Sequence, residues 1–227
     1  MSTAKTALII GASRGLGLGL VQRLLEDGWQ VTATVRNPHK AEALQALGNV
    51  QIEQLDMDDQ QAVIALSQKL KDQVFDLLFV NAGVKGPDNQ LPGHATQAEV
   101  GQLFFTNAVA PINLAQRFVG QIRKDSGVLA FMSSVLGSVT IPDAPEMALY
   151  KASKAALNSM TNSFVTQLEQ QLTVLSLHPG WVKTDMGGEN AEIDVPTSTH
   201  GLIAQINAYA GKGGHHFINY KGETIPW

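Results

Sequence analysis

Tyr150 and Lys154 stand four residues apart in ALYKASKAAL, residues 148–157. At the start of a helix, that spacing puts both side chains on one face. A free phenol ionises near pH 10. An ammonium beside it favours the phenolate and draws that value toward neutrality, where proton exchange is efficient. As a bare pattern the pair says little, because this composition supplies about 0.15 copies by chance. An amphipathic helix with a solvated lysine reads the same way. Lys151, one residue on, points to another face and should be dispensable.

A second stretch, IIGASRGLGLG at residues 9–19, follows directly on an apolar run. Gly11 suits a tight turn, Gly15 a close approach of backbone to a pyrophosphate, and Gly17 close packing of helix on strand. The helix behind them offers unpaired N–H groups and a positive dipole end to phosphates. A floppy linker does not fit, since Leu16, Leu18, Leu20 and Val21 carry the apolar pattern through the stretch. About twenty residues further, a carboxylate would hold the ribose 2′-hydroxyl of NAD. Here the chain reads TVRNPHK, with no acid. Arg36, with Arg14 of the loop itself, would hold a 2′-phosphate instead, which favours NADP(H) over NAD. Two ordinary surface arginines are the alternative.

These residues need a scaffold. TALII (6–10), QVTATV (30–35), VQIEQL (50–55), FDLLFV (75–80), GVLAFM (127–132), LTVLSL (172–177) and HFINY (216–220) read as strands apolar toward both faces. Helix-period segments lie between them at 17–28, 39–47, 58–70, about 97–122, about 148–170 and 196–209. Asp58 and Gln61 would form a capping box on the third. The alternation predicts a doubly wound α/β (Rossmann) fold. It is a parallel seven-stranded sheet with helices on both faces, in one domain over 1–227. Ligands of such a sheet bind beyond the carboxyl ends of its strands, which puts both stretches on one edge.

The chain resembles the short-chain dehydrogenase/reductase family, of the single-domain kind, over nearly all its length. The residues that carry the likeness are GASRGLG (11–17), NAG (81–83), Asn107, SS (133–134), YKASK (150–154) and HPGWVKTDM (178–186), in the family's order. The nearest likeness is to small carbonyl-reductase-like members, C-factor-like proteins among them.

By this resemblance Tyr150 is the acid/base, Lys154 lowers its pKa and binds the nicotinamide ribose, Ser134 donates to the substrate oxygen, and Asn107 holds a water that relays the proton. The nicotinamide brings the hydride chemistry. The resemblance also implies cofactor contacts from Gly11, Ser13, Arg14, Gly15, Leu16 and Gly17, from Arg36, from Asp56 facing the adenine, and from Asn81, Ala82 and Gly83 near the adenine ribose. Pro179, Gly180, Val182 and Thr184 would place the carboxamide. Asn107 as a satisfied residue between helices, and Asp56 as a plain loop acid, stay open beside these roles.

Two departures from the family stand out. Ile10 occupies the place of a frequent Thr, and the segment 139–147 is about three residues longer than usual between Ser134 and Tyr150. That length leaves Ser138 as a rival to Ser134, while Ser133 should face the other side of its strand.

Composition excludes other classes. With a net charge of −4, a pI near 5.8 and no run of Lys or Arg, there is no nucleic-acid footprint. With no cysteine there is no disulfide or thiolate metal site, and His215 and His216 lack a partner cluster, so no metal is expected. No stretch is long enough for a membrane span. A cytoplasmic protein follows, and the resemblance implies a small-molecule carbonyl or alcohol substrate and a homodimer or homotetramer. A non-catalytic NADP(H)-binding sensor on the same scaffold is the alternative. The segment 184–196, TDMGGENAEIDVP, reads as a substrate lid whose only sizeable apolar groups are Met186 and Ile193.

Overall fold

Short runs rich in branched and aromatic residues make strands, most of them buried on both faces. The computed structural model, which describes residues 4–169 and 171–227, contains seven of them. They are β1 (Thr6–Ile10), β2 (Gln30–Val35), β3 (Val50–Gln54), β4 (Leu77–Val80), β5 (Val128–Met132), β6 (Thr173–His178) and β7 (Gly214–Asn219). Every neighbouring pair is parallel, in the order β3-β2-β1-β4-β5-β6-β7. This is the doubly wound sheet expected from the alternation of strands and helices. Strand order reverses between β1 and β4, and a crevice opens there at the carboxyl edge.

The helices divide between the two faces. On one, Leu20 and Leu24 of α1 (Gly15–Glu26) and Ile203 and Ile206 of α7 (Val195–Tyr209) pack on Ile9, Phe79 and Ala130. On the other, Leu66 of α3 (Gln60–Lys69), Phe118 of α5 (Ala110–Phe118) and Leu157 of α6 (Ala148–Val165) pack on Leu8, Leu78 and Phe131. Each such side chain, fully buried, contributes about 1.5–3 kcal/mol.

Four helices depart from expectation. The helix expected over 39–47 is only α2 (Glu42–Gln45), because Asn37 accepts from the His39 N–H and sets Pro38–Lys40 in a 3₁₀ turn. The third helix is capped not by Asp58 but by Asp59, whose carboxylate accepts from the N–H groups of Gln61 and Ala62. The long helix expected at about 97–122 is two helices, α4 (Gln97–Phe104) and α5, joined through a π-helical turn over Phe105–Val109. Pro111 explains the break: it has no N–H to offer the carbonyl of Asn107, four residues back, so the ladder must widen there. α4 itself starts on a capping box between Thr96 and Glu99. The tail of the helix expected over 148–170 does not form, since α6 stops at Val165, and Gln170 lies outside the described residues.

Among the described residues, no helix is long and apolar enough to cross a membrane, and no three His, Asp or Glu side chains cluster as a metal site.

Candidate active site

One cleft of about 1310 Å³ runs along the carboxyl edge of the sheet. Every expected site residue lines it except Gly17 and Asn107, which stand behind its wall.

At the β1 end the wall is backbone. Gly11 and Gly15 have φ of 85° and 53°, a region that disfavours any residue with a Cβ. Gly17 fills a different need: a Cβ there would sit 2.0 Å from the carbonyl oxygen of Gly11. Gly15 is thus required by its own conformation, whereas the sequence argument gave it a ligand's approach. The hydroxyl lost at Ile10 is replaced from the next strand, because Thr34 Oγ1 accepts from the Gly11 N–H at 3.1 Å. Asn81 completes the clamp, its Nδ2 donating to the Gly11 carbonyl at 2.7 Å. That bond uses one of the two Asn81 amide hydrogens on the loop. α1 begins immediately after, with no side chain capping its first N–H groups. The first turn is therefore left to an anion.

Charges around this end differ from expectation. Arg14 is paired with Asp185 at 2.5 Å across the cleft mouth, both side chains 75% exposed. Arg36 leads out of β2 with no carboxylate beside it in Val35–Asn37. Asp56 accepts from the Asp58 N–H and stays exposed. Asp58 is the more engaged acid: Thr106 Oγ1 and Gln102 Nε2 both donate to its Oδ2, at 2.5 and 2.7 Å. Its Oδ1 is buried without a partner.

At the β5 end the wall is side chains. Lys154 is 4% exposed and donates one hydrogen to the Met132 carbonyl at 2.9 Å, and its Nζ lies 5.7 Å from the centroid of the Tyr150 ring. The Tyr150 hydroxyl has no partner among the described residues. Burial pushes the Tyr150 phenol up to about 12 and the Lys154 ammonium down to about 8. The depression of Tyr150 expected from Lys154 is therefore absent in the protein alone: Nζ stands over the ring, hydrogen-bonded elsewhere, and desolvation dominates.

Ser134 closes the end of β5. Its Oγ accepts from the Leu136 N–H at 3.1 Å, so its own hydrogen is free for the cleft. Ser133 faces α6, donating to Asn158 at 2.8 Å. Ser138, the rival, is buried against Thr140 and does not line the cleft.

Asn107 sits in the π turn, and its amide is spent on protein. Oδ1 accepts from the Val84 N–H at 2.9 Å, while Nδ2 donates to the Val84 carbonyl at 2.8 Å and to Ser153 Oγ at 3.0 Å. The side chain is 1% exposed, and these bonds fit the reading of Asn107 as a satisfied residue between helices. Gly83 lies against this pair: a Cβ there would be 3.2 Å from Asn107 Oδ1 and 3.5 Å from Lys154 Nζ. Gly83 thus lines the cleft next to the buried lysine. Thr184 uses its hydroxyl within its own turn, accepting from the Gly187 N–H at 3.1 Å.

Sequence reasoning passed over three residues. Gln90, 3% exposed, accepts from the Tyr150 N–H at 2.8 Å through Oε1 and donates through Nε2 to the carbonyls of Lys85 and Pro87. Nothing in PDNQLPG marks it, because its importance comes entirely from contacts distant in sequence. Trp181, 50% exposed, stands on the cleft rim with Met186. Ile193, expected in the lid, instead packs beside Gly180 and bridges to Val182. His178 ends β6 facing the cleft, with Nδ1 buried and unpartnered. Both Trp181 and His178 lie inside the HPGWVKTDM stretch, where a strand end before Pro-Gly could have flagged them.

A family model described as short chain dehydrogenase matches residues 5–194. C-signal of Myxococcus xanthus is 34% identical over 155 residues, which is 67% of this chain and 92% of that protein. A solved structure of a carbonyl reductase from Pseudomonas aeruginosa PAO1 in complex with NADP is 39% identical, with a TM-score of 0.92 over 99% of this chain and 100% of that one. The carbonyl reductase Sniffer of D. melanogaster is 34% identical, with a TM-score of 0.89 over 99% and 100% of the two chains.

Proposed function

The chain belongs to the short-chain dehydrogenase family, and from that premise we propose that it is an NADP(H)-dependent oxidoreductase that reduces a ketone, aldehyde or quinone-like carbonyl. One observation carries the reading: the unpartnered Tyr150 hydroxyl opens into the same cleft as the glycine loop, beside a buried lysine. The cleft suits a dinucleotide phosphate. The uncapped start of α1 would hold the pyrophosphate. Arg36 would hold the 2′-phosphate, with Arg14 joining only by leaving Asp185.

Bound NADPH would supply the hydride; the chain's own residues supply the proton and the geometry. Tyr150, a phenol and so protonated at neutral pH, donates its hydrogen to the carbonyl oxygen as that oxygen gains electrons, leaving an alcohol and a phenolate. Ser134 turns its free hydroxyl hydrogen on the same oxygen. Lys154 keeps two hydrogens beyond the one on Met132, for a ribose hydroxyl and for the charge left on Tyr150. Asn107 acts by position, fixing Val84 behind the lysine; a relay water at this residue has only the backbone carbonyl that Pro111 leaves without its usual donor.

NADPH consumption with a panel of aldehydes, ketones and diones tests this. Tyr150→Phe should lose at least about 100-fold in kcat, with NADPH affinity unchanged. Tight NADPH binding with no turnover across the panel would instead mark a non-catalytic NADP(H)-binding sensor.

A further inference from the structure

The face of the sheet under α6 carries a ladder of polar couples. Along the helix, Lys154, Asn158 and Asn162 recur every fourth residue and so share one stripe with Tyr150. Each reaches a strand: Lys154 to the Met132 carbonyl, Asn158 to Ser133 at 2.8 Å, and Asn162 to His215 at 2.6 Å, with His215 bonded in turn to Ser176 at 2.9 Å. His178 lies two residues past Ser176 on β6, so its side chain takes the same face. It adjoins Ser133, because Met132 pairs with Leu177, and it pairs on its other side with Asn219. Yet neither ring nitrogen of His178 meets a partner among the described residues. Nδ1 is buried and unpaired, and Nε2, also unpaired, is the nitrogen left open to the cleft that His178 lines.

A buried bare lone pair costs less than a buried N–H left unpaired, so the hydrogen belongs on Nε2, pointing outward. Desolvation keeps the ring neutral, its pKa lowered to about 4. The result is a fixed donor on the cleft floor. Adjacent strands are about 5 Å apart, so it stands about one strand spacing from the β5 end that Ser134 closes.

We propose that His178 is a specificity-determining residue, its Nε2–H donating to a second oxygen of the substrate while Ser134 and Tyr150 hold the reacting carbonyl. The substrate class is then a carbonyl compound with another oxygen acceptor a few bonds away, such as a dicarbonyl, keto ester or quinone, rather than a simple ketone. This rests on the reductase reading.

The experiment compares 2,3-hexanedione with 2-hexanone on the NADPH-loaded enzyme. The native protein should prefer the dione at least about 10-fold in kcat/KM. His178→Leu should remove that preference while changing the 2-hexanone value less than about 3-fold and leaving NADPH affinity alone. His178→Asn, which keeps a donor, should recover part of it. Equal losses on both compounds, no loss on the dione, or weakened NADPH binding would overturn the assignment. So would a native enzyme that reduces 2-hexanone with no advantage for the dione, although the reductase reading would then stand.

Imidazole NMR supplies the second readout. The His178 Nε2–H resonance of the NADP⁺-bound protein should shift with the dione and not with 2-hexanone, and an unmoved resonance overturns the proposal. That titration also decides the matter if His178→Leu fails to fold or if neither compound is reduced.

Discussion

Where the cleft meets β1, its wall is main chain drawn so close that Gly11 and Gly17 have no room for a Cβ; where it meets β5 and β6, its wall is a set of side chains, several of them buried against a polar partner. At the first end Gly17 lies under the Gly11 carbonyl, and two amide hydrogen bonds, from Gly11 to Thr34 and from Asn81 to Gly11, hold the turn. At the second, Gln90, Asn107 and Lys154 are almost wholly buried and hydrogen-bonded. The first end is sensitive to volume. The second tolerates volume better, but it loses function one hydrogen bond at a time and carries a titratable group.

The sharpest way to break the first end is a single methyl. Gly17→Ala puts a Cβ 2.0 Å from a backbone oxygen, which only movement of helix or loop can relieve. The expected cost is about 4 kcal/mol or more, with NADPH binding lost. Urea midpoints and NADPH titration check it; a variant as stable as the native chain would show that this end yields after all.

Breaking the second end takes removal of a partner. Gln90→Leu strands the Tyr150 N–H and the carbonyls of Lys85 and Pro87. It should cost about 3 kcal/mol and lower kcat about 10-fold, while KM for NADPH holds. Pre-steady-state rates with unchanged chemistry would remove Gln90 from the positioning of Tyr150.

The smallest effect sharpens the contrast in charge. Folding lowers the Lys154 pKa from 10.5 to about 8. Between these values the unfolded chain binds more protons than the folded one, so stability rises with pH across that window. Lys154→Met therefore should gain about 2 kcal/mol at pH 7, net of the lost bond to Met132, and much less at pH 10. Denaturation at the two pH values decides it: an equal gain at both would exclude burial of the charge as the cause.

The contrast also explains what the sequence makes legible. The glycines of residues 11–17 could be read directly because local backbone geometry and close packing demand that residue type wherever the turn occurs. The seven strands were equally plain as short runs between helix-period segments, although β3, VQIEQ, alternates and is only partly buried. Tyr150, Lys154 and Ser134 were placed on the right edge by helix spacing and strand ends. Their engagement was not, since burial raises the Tyr150 pKa through neighbours that no local pattern reveals. Asn107 and Gln90 show why: their hydrogen bonds reach 23 and 46 residues, or 60 residues, along the chain. Arg14 could not be known to face Asp185, 171 residues away. The helix expected over 97–122 failed more simply, because Pro111 at a first helical turn looks harmless until the turn before it must also be helical.

Gln90 takes two N–H groups of the first turn of α6, that of Leu149 on its carbonyl and that of Tyr150 on its side chain. The start of that helix is thus moored from the β4 side and not by 139–147, the chain leading into it. That lip, whose closest tie to the helix is the Lys151 ammonium on the Asp143 carbonyl, can change in length or sequence without retuning the proton donor. Selectivity and reactivity become separately evolvable modules, and a graft of 139–147 from another member is a natural place to begin redesign.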